Sequence, residues 1–246
     1  LYHHNQWLSF DHYTRFSDPD PDACLGKINQ SLQSANSWFQ QTKFLFITWG
    51  TSRVYIYKNT GKLVANCHKI PAREFQRKQL SVEEITSSYR PFLQNLFASN
   101  PGLQVYFTVS PVRHWKDGAW QNRISKSILF LAIEKLVNSF SRVSYFPSYE
   151  IMMDDLRDYR FYASDMLHPG EQAIEYLWEK FSQALVDPQA LEIAGEIKKL
   201  TQAAQHRPFN IKSEDTKKFA RSMLKQTEQL KEKYPFLDLE KEKKHF

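Results

Sequence analysis

The chain has 246 residues, a length that fits one large domain or a domain with an appendage. A mean hydropathy of −0.58 with 24% charged residues excludes a helical membrane bundle, and 36 aromatic side chains exclude disorder throughout. The net charge of +6 is spread evenly, with 13 basic and 10 acidic groups in residues 187–246 and 20 and 17 in the first 186, so no basic block tracks phosphates and no nucleic-acid partner is expected.

Two cysteines, Cys24 and Cys67, are too few and too distant for a disulfide framework or a C-x-x-C pair, and read as thiols of a reducing compartment, the cytoplasm. The longest apolar run, Ile128 to Ile133, is far short of a membrane span. The sequence opens on Leu1 without a methionine, a charged n-region or an apolar h-region, and is expected to be a processed product or a fragment.

In chain order, Ser17 to Asp22 is a turn and helix-start signal, and a helix is predicted from Asp22 to about Phe39. Lys43 to Trp49, closed by Gly50, reads as a strand buried on both faces. Val54–Tyr57 and Leu63–Ala65 around Asn59-Thr60-Gly61-Lys62 read as a hairpin. Ser81-Val82-Glu83-Glu84 is a capping box that opens a helix through Leu96 despite Pro91.

Leu103 to Val109 is a second buried strand, Ile124 to Phe140 an amphipathic helix, and Val143 to Phe146 a third strand stopped by Pro147. Strand, helix, strand, helix, strand is the order of a parallel sheet with right-handed crossovers, an α/β layer fold. Ligands of such sheets collect beyond the carboxyl ends of the strands, here the loops after Trp49, Val109 and Phe146. A helix is predicted from Pro169 to Leu185. Beyond Pro188, Ala190–Ala204 and Ser213–Tyr234 read as mixed-charge helices joined by His206-Arg207-Pro208-Phe209-Asn210, packed onto the main domain or a partner. The expected domains are 1–186 and 187–246.

The most informative stretch for chemistry runs from Asp154 to Pro169. Asp165 and His168 stand three apart before a helix, whose dipole favours a neutral, proton-accepting imidazole. Asp165 would hold the other ring N–H and stabilise the cation formed in turnover. The plainer alternative has Asp165 capping the helix and His168 on the surface. Asp154, Asp155 and Asp158, interleaved with Arg157 and Arg160, read as a salt-bridged helix end, and Tyr159, Phe161 and Tyr162 as core beneath the site.

Several blocks in order, Thr48-Trp49-Gly50-Thr51-Ser52, Asn66-Cys67-His68-Lys69-Ile70-Pro71, Ser110-Pro111-Val112-Arg113-His114, Tyr145 to Ile151, Leu156 to Tyr162 and Asp165-Met166-Leu167-His168-Pro169, resemble the GSCFA family, a bacterial branch similar to SGNH (GDSL-type) hydrolases. The resemblance covers nearly the whole chain. It implies a flavodoxin-like three-layer α/β/α sandwich with a parallel sheet and a C-terminal helical extension, and an esterase or deacylase site without metal or organic cofactor. Asp165 and His168 match the D-x-x-H block that supplies the acid and base.

The family's nucleophilic serine lies in a Gly-Ser-Cys-Phe-Ala block after the first strand, and no such motif occurs in these residues. The expectation is therefore an N-terminal truncation that removes strand and serine together, leaving this chain inactive. Where SGNH enzymes carry G-x-N-D, this sequence has Gly50-Thr51-Ser52; a backbone N–H there or the Thr51 hydroxyl would donate to an oxyanion. Ser52 and Ser110 are expected pocket residues. Ser110 lacks a G-x-S-x-G turn.

Asn66, His68, Arg113 and His114 are candidate contacts to a small-molecule or glycan ester, Arg113 holding an anionic group; no metal site is expected. A competing reading makes the fold a carbohydrate- or protein-binding module without turnover.

Overall fold

A computed structural model describes residues 1–205 and 214–243. The expected linker His206 to Asn210 lies outside the described residues. The chain divides into two compact units, Leu1–Leu177 and Trp178–Phe246.

The first unit opens with β1 (Tyr2–His3) and β2 (Gln6–Trp7), a small hairpin turned by His4 and Asn5 at positive φ. Helix α1 (Pro21–Phe39) starts as its signal predicts, with the Asp20 carboxylate accepting from the Ala23 N–H. Strand β3 (Phe44–Trp49) follows, then β4 (Arg53–Tyr57), β5 (Lys62–Val64) and β6 (Phe75–Gln79). Helix α2 (Val82–Ser99) carries the full capping box: the Ser81 hydroxyl accepts from Glu84 N–H and the Glu84 carboxylate from Ser81 N–H. The unit continues through β7 (Gln104–Val109), α3 (Gly118–Val137), β8 (Val143–Tyr145) and the short α4 (Ser148–Glu150), which passes into a wide π-type turn over Ile151–Asp155.

The protein is thus mixed α/β, with a parallel sheet in the order β3-β7-β8. Residues 45, 47 and 49 of β3, 105, 107 and 109 of β7, and 143 of β8 join α2 and α3 in one core, where Leu93, Leu103, Val105, Phe107, Val109, Ala132 and Leu136 are fully buried. Each large aliphatic or aromatic side chain so buried contributes about 1.5–3 kcal/mol. Asn100 at the end of α2 donates to the carbonyls of Phe39 and Thr42, fixing the entry to β3.

The expectation that Lys43–Trp49 is buried on both faces is corrected. Phe44 is 55% and Phe46 44% exposed, alternating with the inward Leu45 and Ile47. Their rings lie 6.4 and 5.2 Å from that of Tyr106 on β7, so an aromatic row lies along this face. The hairpin is present, Tyr55 facing Val64, and β6 adds to the other side of β4 as a third antiparallel strand.

Helix α5 (Glu171–Leu185) starts two residues later than predicted. Pro169 is still extended and bridged to Tyr162, and the Gly170 N–H donates to the Phe161 carbonyl, so the helical pattern begins with Ile174 N–H donating to Gly170.

In the second unit, α6 (Pro188–Gln205), α7 (Glu214–Lys233) and α8 (Glu240–Lys243) pack around Leu200, Leu230 and Leu239, with Ile197, Met223 and Tyr234 against them. The apolar faces predicted for the tail meet one another there. Among the described residues no helix is long and apolar enough to cross a membrane.

Candidate functional site

Asp165 and His168 sit on a loop closed at its base by the Tyr162–Pro169 bridge. Inside it, Ala163 N–H donates to the His168 carbonyl and Met166, at positive φ, donates to the Ala163 carbonyl. Gly170 at the loop's exit faces close backbone: a Cβ there would lie 3.3 Å from the Phe161 carbonyl oxygen. Behind the loop, Phe161 and Tyr162 pack on Met152, Leu156 and Ala173.

Asp165 is fully engaged. Its Oδ1 accepts from the backbone N–H groups of Leu167 and His168, both at 2.9 Å, and its Oδ2 lies 2.5 Å from His168 Nδ1. These bonds, led by the His168 N–H, hold its carboxyl down to about 2. A carboxylate only accepts, so Nδ1 carries the proton of this contact, and Nε2 is the ring nitrogen left for another partner. His168 is 62% exposed, and none of the described residues bonds its Nε2. Asp165 therefore caps its own loop rather than α5, and orients the histidine at the same time.

Because the folded carboxyl is depressed below its ordinary 3.8, its contribution to the loop is complete above that value and lost as pH falls through about 2. Amide exchange at Leu167 and His168 should stay slow at mildly acidic pH and accelerate near that lower value. In Asp165→Ala it should be fast throughout.

A second group of predicted residues gathers at the carboxyl ends of β3 and β7, organised by two α3 side chains that the sequence reading passed over. Ser125 Oγ accepts from Ser52 N–H at 2.7 Å and from Ser52 Oγ at 3.0 Å. Its own proton therefore goes to Thr51 Oγ1 at 3.0 Å. Thr51 Oγ1 also accepts from Arg53 N–H, which leaves the Thr51 proton to be donated outward. Ser52 is buried; its N–H and hydroxyl are both spent on Ser125, and its carbonyl accepts from Leu80 N–H. Ser125→Ala would leave the buried Ser52 N–H without its acceptor, and urea unfolding should register a loss of about 1–3 kcal/mol.

Lys126, 1% exposed, donates from Nζ to the carbonyls of Gly50 and Ser110, each at 2.6 Å. Burial lowers the pKa of this ammonium to about 8. It clamps the exits of two neighbouring strands. Ser110 donates its N–H to Trp49 and accepts from Val112 N–H on its hydroxyl. His114 approaches Gly50, where an added Cβ would lie 3.5 Å from Nε2. Burial, then the nearby Lys126 charge, lower the His114 pKa.

Arg113 follows Ser110 by three residues and lies near the base of the histidine loop. Its guanidinium lies 5.9 Å from the Tyr162 ring at the base of the histidine loop and 5.8 Å from that of Trp115. Asn66 and His68 are placed elsewhere. His68 Nε2 donates to the Ser9 carbonyl at 2.7 Å, its Nδ1 accepts from Thr14 Oγ1, and Asn66 donates to that same oxygen and accepts from His68 N–H. Both ring nitrogens are used, and the pair fastens the N-terminal segment to the hairpin.

Two expectations around the loop change. Tyr159 is 60% exposed rather than core. Asp154, Asp155 and Asp158 form no ion pairs with Arg157 and Arg160. Arg157 donates to the Asp154 carbonyl, Asp155 accepts from the Tyr176 hydroxyl, and Asp158 accepts from Arg160 N–H. Among the described residues no three His, Cys, Asp or Glu side chains converge to hold a metal ion.

The fold and this geometry define a mixed α/β protein with a histidine oriented by a carboxylate on the loop that enters α5. Residues 1–181 match the family model described as GSCFA family, and residues 197–246 match that of the GSCFA domain protein, C-terminal domain. The chain belongs to the GSCFA family. Neither the curated proteins nor the solved structures returned a match.

Proposed function

We propose that the parent protein is a serine hydrolase of the SGNH type, an esterase or deacylase, with His168 as its base and Asp165 as the orienting acid. The observation that carries this reading is the 2.5 Å contact between His168 Nδ1 and the Asp165 carboxylate, on a ring that is 62% exposed. In this reading Nε2 accepts the proton of a serine hydroxyl as its oxygen attacks the acyl carbon. The ionised Asp165 stabilises the imidazolium, which returns the proton to the leaving group. The outward Thr51 proton and a backbone N–H beside Gly50 serve the oxyanion, on a segment that Ser125 and Lys126 hold still.

The serine is assigned to the family's Gly-Ser-Cys-Phe-Ala block, which these 246 residues do not contain. Hydrolysis of p-nitrophenyl acetate by this chain is expected at background level. A chain that continues upstream through that block should turn over, and changing the block's serine to alanine should return it to background. Turnover by both chains, unaffected by that change, would overturn the proposal.

A further inference from the structure

A cleft of about 440 Å³ lies between the loop after β7, the first turns of α3 and the segment around Tyr149 to Tyr159. Two guanidiniums, Arg113 and Arg123, border it with the indoles of Trp115 and Trp120 and the phenol of Tyr159. These three rings are 50%, 71% and 60% exposed, an apolar surface that water does not favour. No carboxylate borders the cleft. Neither arginine has an ion-pair partner among the described residues.

The nearest acid in sequence, Asp117, is turned away; its 3% exposed carboxylate is shared by Arg53 and Arg77. Helix α3 begins with no side-chain cap and no acidic residue in its first turn, so its dipole adds positive potential where Ala119 and Trp120 meet the cleft.

These features select a ligand with two properties. Free guanidiniums take a carboxylate through two parallel N–H bonds, and Arg113, near the Trp115 and Tyr162 rings, and Arg123 both line the cleft. Exposed indoles take a flat C–H face, which a pyranose ring presents. We propose that this cleft binds carboxylate-bearing sugars, the uronate units of an acidic glycan. Tyr162 lies under Arg113 and is bridged to Pro169, next to His168. The cleft is thus the sugar subsite of the ester-cleaving reading above, on which this assignment of its role rests.

The test is a titration of tryptophan fluorescence in the 246-residue chain with trigalacturonate, neutral maltotriose and the sugar-free tricarballylate. Trigalacturonate should bind at least ~10-fold more tightly than either comparison, the worth of one charged hydrogen-bonded contact. Arg123→Gln should remove most of that preference and leave maltotriose unchanged, whereas Trp120→Ala should weaken both sugars. Equal binding of the two sugars, tricarballylate as tight as trigalacturonate, no binding of any, or an unaltered preference in Arg123→Gln would each overturn the proposal. Binding is read in the 246-residue chain, which lacks the proposed nucleophile and needs no turnover, so a failure of hydrolysis and a failure of the subsite are read separately.

Discussion

Replacing His168 by alanine, in a chain that carries the Gly-Ser-Cys-Phe-Ala block, should lower kcat/KM for an acyl ester by about 10³- to 10⁴-fold. The size follows from the proposed role: without an acceptor at Nε2, the serine would lose its proton to water during attack and the leaving group would take one from water. Histidine and aspartate are both substantially exposed, and their bonds lie within one loop, so the unfolding midpoint in urea should hardly move. Asp165→Ala should also lower kcat, through a ring no longer fixed in tautomer or direction, and in addition loosen the Leu167 and His168 amides. Activity of His168→Ala equal to that of the unaltered protein would remove the histidine from the chemistry.

The second large effect concerns stability. Lys126→Met keeps the apolar stem but removes the donors that satisfy the Gly50 and Ser110 carbonyls. Each carbonyl left without a partner costs about 1–3 kcal/mol, partly offset because no charge need be buried, so a net loss of about 2–4 kcal/mol is expected.

The pH dependence gives a signature that simple loss of packing would not. Folded Lys126 gives up its proton near 8, the unfolded side chain near 10.5. Below the lower value both states hold the proton and this group adds no slope. Between the two values the unfolded chain binds more protons, so stability rises with pH, by about 2 kcal/mol from about pH 8 to about pH 9.5.

Tyr145, whose hydroxyl is pushed up by burial and then by its bond to Glu150, works in the opposite direction only where an unfolded phenol ionises, near pH 10. Urea unfolding at about pH 7.5 and about pH 9.5 should show the rise in the unaltered chain and not in Lys126→Met. The same rise in both would exclude the lysine as its source.

Much of this was legible in the residues because the signals are local. The capping box at Ser81 and the hairpin around Gly61 are contained in a few residues, and so is the Asp165–His168 spacing. What escaped depends on partners far away in sequence. Strand β6, Phe75 to Gln79, is polar along most of its length, and only its pairing with β4 makes it a strand. The run at Phe44 to Trp49 looks buried on both faces because Phe44 and Phe46 lie along an aromatic row instead of entering the core.

Ser125 and Lys126 sit in an amphipathic helix where nothing nearby in sequence shows that they face Ser52 and Gly50, more than 70 positions away. His68 shows the converse. Its residue type invites a ligand role, and only its two bonds to Ser9 and Thr14 show it to be a fastening.

The bridge between Tyr162 and Pro169 has one further consequence. It makes the histidine and its carboxylate a self-contained cassette: both members, the amides that orient the acid and the turn that spaces them lie within eight consecutive residues. The rest of the fold need not assemble the pair, only deliver it. Local opening at the loop's base would carry the pair away intact, so in the proposed hydrolase activity would fail by misplacement while the Asp165–His168 contact itself persisted.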